Sequence, residues 1–278
     1  MKKFWGVTLT LLTALTLVSC GNKPATNDSS SSKSTSSLKQ KSSSKAKSST
    51  SSSTKSSSSS SASSTSSSST KPATTQDRLT SLTQQIKAVI PSALVPTSYP
   101  LATGQFLNAS YTGDATHYTM YFAARNTALP FNTPEVHANA ADISISAQTY
   151  QNAADAEAQI NYQAPETGLP TVALGDNLTG TQQGAAGSTY TTWQEGRWSL
   201  TVQAINQNQE NGLTLSRQAV ALLSQEFLPV PATHGAINLR VATDGLRLNS
   251  VTWRQGNTLY NATGIDAMTL LRVVTSLK

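Results

Sequence analysis

The sequence predicts an α+β fold for residues 76–278, an antiparallel sheet with helices packed on it. Three observations lead there. Tyr118, Met120 and Phe122 alternate with less apolar neighbours, and so do Ile143, Ile145 and Ala147, which is the period of a half-buried strand. Thr192-Trp193-Gln194-Glu195-Gly196 is echoed by Thr252-Trp253-Arg254-Gln255-Gly256, each copy placing a glycine where a tight hairpin needs positive φ. Each of these hairpins runs on into a helical stripe, so the sheet is expected to be built from repeated β-hairpin-plus-helix units.

Taken in order, the chain opens with Lys2 and Lys3 and an apolar run from Phe4 to Val18. At roughly 15 residues this is short for a membrane span, which needs about 20, and it reads as a signal peptide over 1–19. Leu17-Val18-Ser19-Cys20 has the form of a lipobox, whose chemistry needs a thiol for the acyl group and a small residue before the cleaved bond. Cys20 is therefore the expected lipidation site and the mature N-terminus, holding the protein on the bilayer through its acyl chains. Residues 20–75 form a Ser/Lys-rich stalk, with 27 serines in the 41 positions from Ser29 to Ser69. So little apolar surface cannot offset the entropy of ordering, and the stalk is expected to act as a flexible tether. Its lysines serve solubility, or contact acidic wall polymers and anionic lipid headgroups.

The domain begins with Leu79, Leu82, Ile86, Val89 and Ile90 at helical spacing ahead of Pro91. The Pro- and Gly-punctuated stretch from Pro91 to Asp114 reads as extended chain and loop. After the two alternating strands, Asn152 precedes a short alanine-rich helix. Leu200 and Val202 extend the first hairpin, and Leu259 with Ala262 the second. Leu215, Ala219, Leu222, Leu223 and Phe227 then form one helical stripe. Met268, Leu271, Val274 and Leu277 form another behind Asp266, a candidate N-cap. Two repeated subdomains, about 76–165 and 166–278, are one division this pattern allows.

Charge separates the tail from the domain. The net +6 of the chain combines ten basic residues against one acid in residues 1–75 with ten against thirteen in residues 76–278. The foldable part is mildly acidic, which argues against a nucleic-acid-binding fold. A lone cysteine precludes an internal disulfide, and the histidines at 117, 137 and 234 have no metal-ligand spacing. No metal or other cofactor is expected.

The order of signal, serine-rich stalk and domain, with Leu169-Pro170-Thr171, the run from Gly180 to Tyr190 and Thr192-Trp193-Gln194-Glu195-Gly196, resembles uncharacterised surface lipoproteins of lactobacilli and related Gram-positive bacteria. The Trp-x-x-Gly hairpin with a terminal helix is also similar to small extracytoplasmic modules of lipoproteins and sensor proteins. These resemblances imply lipidation of Cys20 and location on the outer face of the cell membrane. They supply no catalytic residue.

The candidate sites are few. Gly184-Ala185-Ala186-Gly187-Ser188 lacks the Gly-Lys-Ser/Thr of a phosphate loop and reads as a tight turn. Asp114 with His117, near Ser110, is the nearest approach to an acid/base pair. Asp176 and Asp244 beside glycines read as turn residues, and Glu195 with Arg197 as a cross-turn ion pair. Trp198 shares its pleat parity with Leu200 and Val202 and is assigned to the core, with a ligand platform as the alternative. Trp193, Gly196, Trp253 and Gly256 are assigned to hairpin structure. The expected function is a non-enzymatic surface module that binds a cell-wall polymer, a glycan or an envelope protein. A wall hydrolase and a structural accessory lipoprotein are the alternatives.

Overall fold

A computed structural model describes residues 75–242 and 248–278. The expected signal peptide of residues 1–19, Cys20, the expected stalk up to residue 74 and the expected turn at Asp244-Gly245 lie outside the described residues. Helix α1 spans Thr75–Val89 and buries Leu79, Leu82 and Ile86. Ile90 continues this stripe and is fully buried, whereas Val89 points outward at 44% exposure. Strands β1 (Phe106–Gly113), β2 (His117–Arg125) and β3 (Ile143–Thr149) follow, then the short helix α2 (Ala153–Glu157). Asn152 caps α2 by accepting from the Asp155 backbone N–H. Strands β4 (Thr171–Gly175), β5 (Leu178–Ala185), β6 (Ser188–Glu195) and β7 (Trp198–Ile205) lead to α3 (Gly212–Leu223). The chain closes with β8 (Gly235–Arg240), β9 (Asn249–Gln255), β10 (Thr258–Gly264) and α4 (Ala267–Thr275).

Among the described residues the ten strands form one sheet in the order β1-β2-β3-β10-β9-β8-β7-β6-β5-β4. The fold is thus α+β and mostly antiparallel. The exception is β7 beside β8, which run parallel because α3 carries the chain back over the sheet between them. Residues 76–165 and 166–278 share this sheet, since β3 pairs with β10 from Thr149↔Thr258 to Ile143↔Gly264.

The two faces differ in chemistry. Met120, Phe122, Ile145, Trp193, Leu200, Val202, Ile237, Val251, Trp253 and Ala262 project from one face and are almost wholly buried. Helices α1, α3 and α4 pack on this face against β1, β6–β7 and β9–β10. The Trp253 ring stacks on Tyr260 at 5.2 Å and meets Trp198 at 6.2 Å. Trp198 is core, and Gly235 makes room for it: a Cβ there would lie 2.5 Å from Cε3 and Cζ3 of its ring. Phe227, expected in the α3 stripe, is 85% exposed instead, because the helix ends at Leu223 and the chain turns outward.

Turn chemistry fixes the register. Gly196 and Gly256 have φ of 59° and 56°, and the residues after them do not, as in two-residue hairpins of type II′. Asp176 with Asn177 and Ala186 with Gly187 have two consecutive positive φ values, as in type I′ turns. The glycine-rich run at 184–188 is therefore the β5–β6 hairpin. Asp266 caps α4 by accepting from Thr269 N–H at 2.7 Å. The buried side chain of Asn249 accepts from Arg240 N–H and donates to the carbonyls of Gly264 and Ile265, tying β8, β9 and the α4 entrance together.

Each sheet edge is capped at one point. Asn132 reaches β1 by donating its N–H to Ala109 and accepting from Tyr111 N–H. Arg217 of α3 donates twice to the Ala173 carbonyl on β4. These caps satisfy edge groups of β1 and β4 that would otherwise face another chain.

Candidate functional site

On the side of the sheet away from α1, α3 and α4, the register aligns one transverse row from every strand: Thr171, Thr181, Thr192, Thr201, Asn238, Ser250, Thr263, Ser144, Tyr121 and Ser110. Each is a hydroxyl or an amide. Alternation makes this possible, because the residues between them supply the apolar core of the other face. Ser110 is buried and donates to the Val136 carbonyl beneath the β2–β3 connection. From Thr181 to Tyr121 the row is half-exposed.

A strap of irregular chain, residues 158–170, lies over the same face. Gln163 N–H donates to Ser199 Oγ at 3.0 Å, and Gln194 Nε2 donates to the Gln163 carbonyl at 3.1 Å. Between the strap and strands β5 to β8 lies a groove of about 310 Å³, lined by Asn161, Gln163, Ala164, Glu166 and Leu169 on one side. Thr181, Gln183, Ala185, Tyr190, Thr192, Thr201 and Asn238 form its floor and far wall. That volume is at the lower end of small-molecule sites. Thr192 and Thr201 share a hydroxyl contact at 3.2 Å, and Thr181 Oγ1 donates to the Thr192 carbonyl. The side chains of Gln183, Tyr190, Asn238 and Glu166 make no hydrogen bond to other described residues.

The strap is fastened at its start by a polar cluster. Arg254 of β9, only 9% exposed, donates from Nε to Glu157 of α2 at 2.7 Å and from Nη1 to the Gly256 carbonyl at 2.8 Å. The Thr233 hydroxyl also donates to Glu157, and His234 Nδ1 lies 3.7 Å from the same carboxylate. Burial pushes the Glu157 carboxyl up, but the Thr233 and Arg254 donors outweigh it and hold the group below its ordinary value. The Tyr162 ring rests on His234 at 4.3 Å, carrying the strap from this anchor toward the groove.

The other residues singled out in the sequence fall elsewhere. Asp114 Oδ1 accepts from Thr116 N–H, Thr116 Oγ1 and His117 N–H, so it caps the exposed β1–β2 turn. These bonds, the Thr116 hydroxyl's first, hold its carboxyl below the usual range. Ser110 is buried under the β2–β3 connection, bonded to Val136, rather than joined to this pair. His137 lies edge-on to Tyr121 at 5.8 Å. Among the described residues no three His, Cys, Asp or Glu side chains gather into a metal site, and no helix is long and apolar enough to cross a membrane.

The expected Glu195–Arg197 ion pair is replaced by other bonds. Glu195 accepts from Trp193 Nε1 at 2.8 Å, while Arg197 donates to the carbonyls of Pro231 and Ala232. The parity of the hairpin explains this: Glu195 shares the core side with Trp193, two residues away. Trp193 and Trp253 lie deep in the core, 1% and 0% exposed, and Gly196 and Gly256 occupy the two turns.

The groove residues carry no sequence motif, and reasoning from motifs passed over them. The signal that points to them is parity: Tyr190, Thr192 and Gln194 alternate with Thr191 and Trp193, and Thr201 alternates with Leu200 and Val202. Comparison with models of protein families, with curated sequences and with solved structures found no match.

Proposed function

We propose that this protein is a lipid-anchored, non-enzymatic binding module of the cell envelope, of the kind found among Gram-positive surface lipoproteins. Cys20 holds it on the outer face of the membrane, and the Ser/Lys-rich stalk gives the domain its reach toward a cell-wall polymer, a glycan or an envelope protein. The observation that carries the reading is the open polar face of the sheet with its groove, a concave surface whose Gln183, Tyr190 and Asn238 side chains make no hydrogen bond to other described residues. Convergent acid, base and nucleophile groups are not what lines it. In the same reading β5-β6-β7-α3 and β8-β9-β10-α4 are copies of one unit laid side by side, with Trp193 and Trp253 at equivalent places in the two hairpins.

Two measurements test it. Replacing Cys20 with Ser should leave an unprocessed precursor or release the protein into the medium. Unchanged partitioning into detergent and an unchanged mature mass would remove the anchor. Wild type and the double variant Asp114→Asn, His117→Ala should be retained equally on wall fragments without turning them over. Turnover by the wild type that the double variant loses would make the protein a hydrolase.

A further inference from the structure

Resting on the binding-module reading, the geometry points to a ligand class for the groove: we propose that it holds a short segment of a neutral polysaccharide. The argument starts from charge. Among the twelve lining residues there is no lysine or arginine, and the one ionisable group of fixed sign is the carboxylate of Glu166. A phosphate- or carboxylate-bearing polymer would be repelled by Glu166 and would find no cationic partner. An apolar ligand would strand the amides and hydroxyls carried by eight of the twelve lining residues, each of which loses free energy if buried without a bond.

What the groove offers instead matches hydroxyl groups. Gln183 and Asn238 present amides that both donate and accept, and a sugar hydroxyl needs both, while Gln163 Nε2 donates to Asn161 Oδ1 at 3.0 Å and leaves the Asn161 amide N–H and the Gln163 side-chain carbonyl for a ligand. The side chains of Gln183, Asn238 and Glu166 and the Tyr190 hydroxyl have no hydrogen bond to other described residues, so binding would break no internal pairing at those groups. Tyr190 is the single aromatic lining residue, with its ring half-exposed on the floor. A pyranose carries its C–H bonds on one face and its hydroxyls around the rim. A flat ring ringed by amides is complementary to that shape.

The surroundings fit a chain rather than an isolated sugar. The transverse row leaves the groove at Asn238 and continues through Ser250, Thr263, Ser144 and Tyr121, all half-exposed. Neighbouring strands are about 4.8 Å apart, so hydroxyl or amide positions recur across the sheet at a spacing close to the length of one pyranose unit. A polymer crossing the strands would meet one polar residue per strand, and Tyr121 would give it a second ring beyond the groove.

The test uses the full chain purified in detergent and an array carrying neutral glucan, mannan, galactan and chitin oligosaccharides beside polyglycerol phosphate and polygalacturonate. The expected result is retention on at least one neutral glycan that persists from low to high salt. Tyr190→Ala should weaken it at least about tenfold and Asn238→Ala severalfold, both with unchanged thermal midpoints. Asn238→Ala and Gln183→Ala serve as independent variants if Tyr190→Ala folds poorly. Retention confined to the anionic polymers and lost in these variants would overturn the neutral-polysaccharide assignment while leaving a binding groove. Neutral-glycan retention that all three variants keep would remove the groove as its site. Retention on nothing in the array overturns the proposal, and binding to whole wall fragments then decides separately whether the binding-module reading stands.

Discussion

At the scale of single residues, the two hairpin tryptophans have different polar surroundings despite similar burial. Trp193 Nε1 donates to Glu195, whereas Trp253 Nε1 is buried without a hydrogen-bond partner. Truncating either to Ala should cost about 3 to 5 kcal/mol through the cavity left behind, a large share of the roughly 5 to 15 kcal/mol that holds a domain together. Phe separates them. Trp253→Phe removes an unpaired donor, while Trp193→Phe leaves the half-buried Glu195 carboxylate without its partner, so unfolding free energies should show the first less damaging by about 1 kcal/mol. Glu195 adds a pH signature. Burial pushes its carboxyl above the ordinary range, opposed by the Trp193 donor and reinforced by the charge of Asp176. A carboxyl with a raised folded-state pKa binds more protons when folded, so its contribution declines as pH rises through the interval above the unfolded glutamate value. Relative to wild type, Glu195→Gln should therefore gain stability as pH rises through that interval, read from unfolding curves at several pH values. The sequence placed both tryptophans in hairpins. It could not show which indole finds a partner, because that depends on Glu at 195 against Gln at 255 on matching sides of two turns.

At the scale of elements, the turns are where one atom decides the outcome. Ala186 holds φ of 49° in the β5–β6 hairpin, a conformation in which a Cβ is strained. Ala186→Gly should raise stability by about 0.5 to 1 kcal/mol, the relief of strain exceeding the added freedom of the unfolded chain; an unchanged or lower melting temperature would contradict the turn geometry. The hairpins β6–β7 and β9–β10 were legible because an apolar period meets a turn glycine, and the helices α1 and α4 because an apolar stripe meets Pro91 in one and the Asp266 cap in the other. Strands β4 and β5 were not, since Thr179, Thr181, Gln182 and Gln183 give no apolar alternation near a sheet edge. Strand β1 was hidden in a passage punctuated by Pro and Gly. Its core side rests on Leu107 and Ala109, too little contrast against Asn108 and Ser110, which are also buried. The groove is harder still to read, because half of it comes from the strap at 161–169 and the other half from four strands.

At the scale of the whole molecule, the Glu157–Arg254 contact fastens the strap to the sheet across 97 positions of sequence. Glu157 is held below its ordinary value when folded, so it stabilises the fold above the unfolded glutamate value, and that contribution is lost as pH falls through the folded one. Glu157→Gln should flatten this acid limb, and it should speed amide exchange at Gln163 while leaving β9 protected, a local loosening that hydrogen exchange resolves. The pairing of β3 with β10 reaches further, joining Ser146 to Asn261 across 115 positions. For a chain delivered N-terminus first across the membrane, that separation is a delay between the appearance of β3 and that of β10. Throughout it, the meander β1-β2-β3 has one side complete and the other waiting, with backbone donors and acceptors of β3 open to any extended segment nearby. Newly made chains are thus most vulnerable to misassembly in the interval before β10 emerges, and a holding chaperone would have its clearest task there.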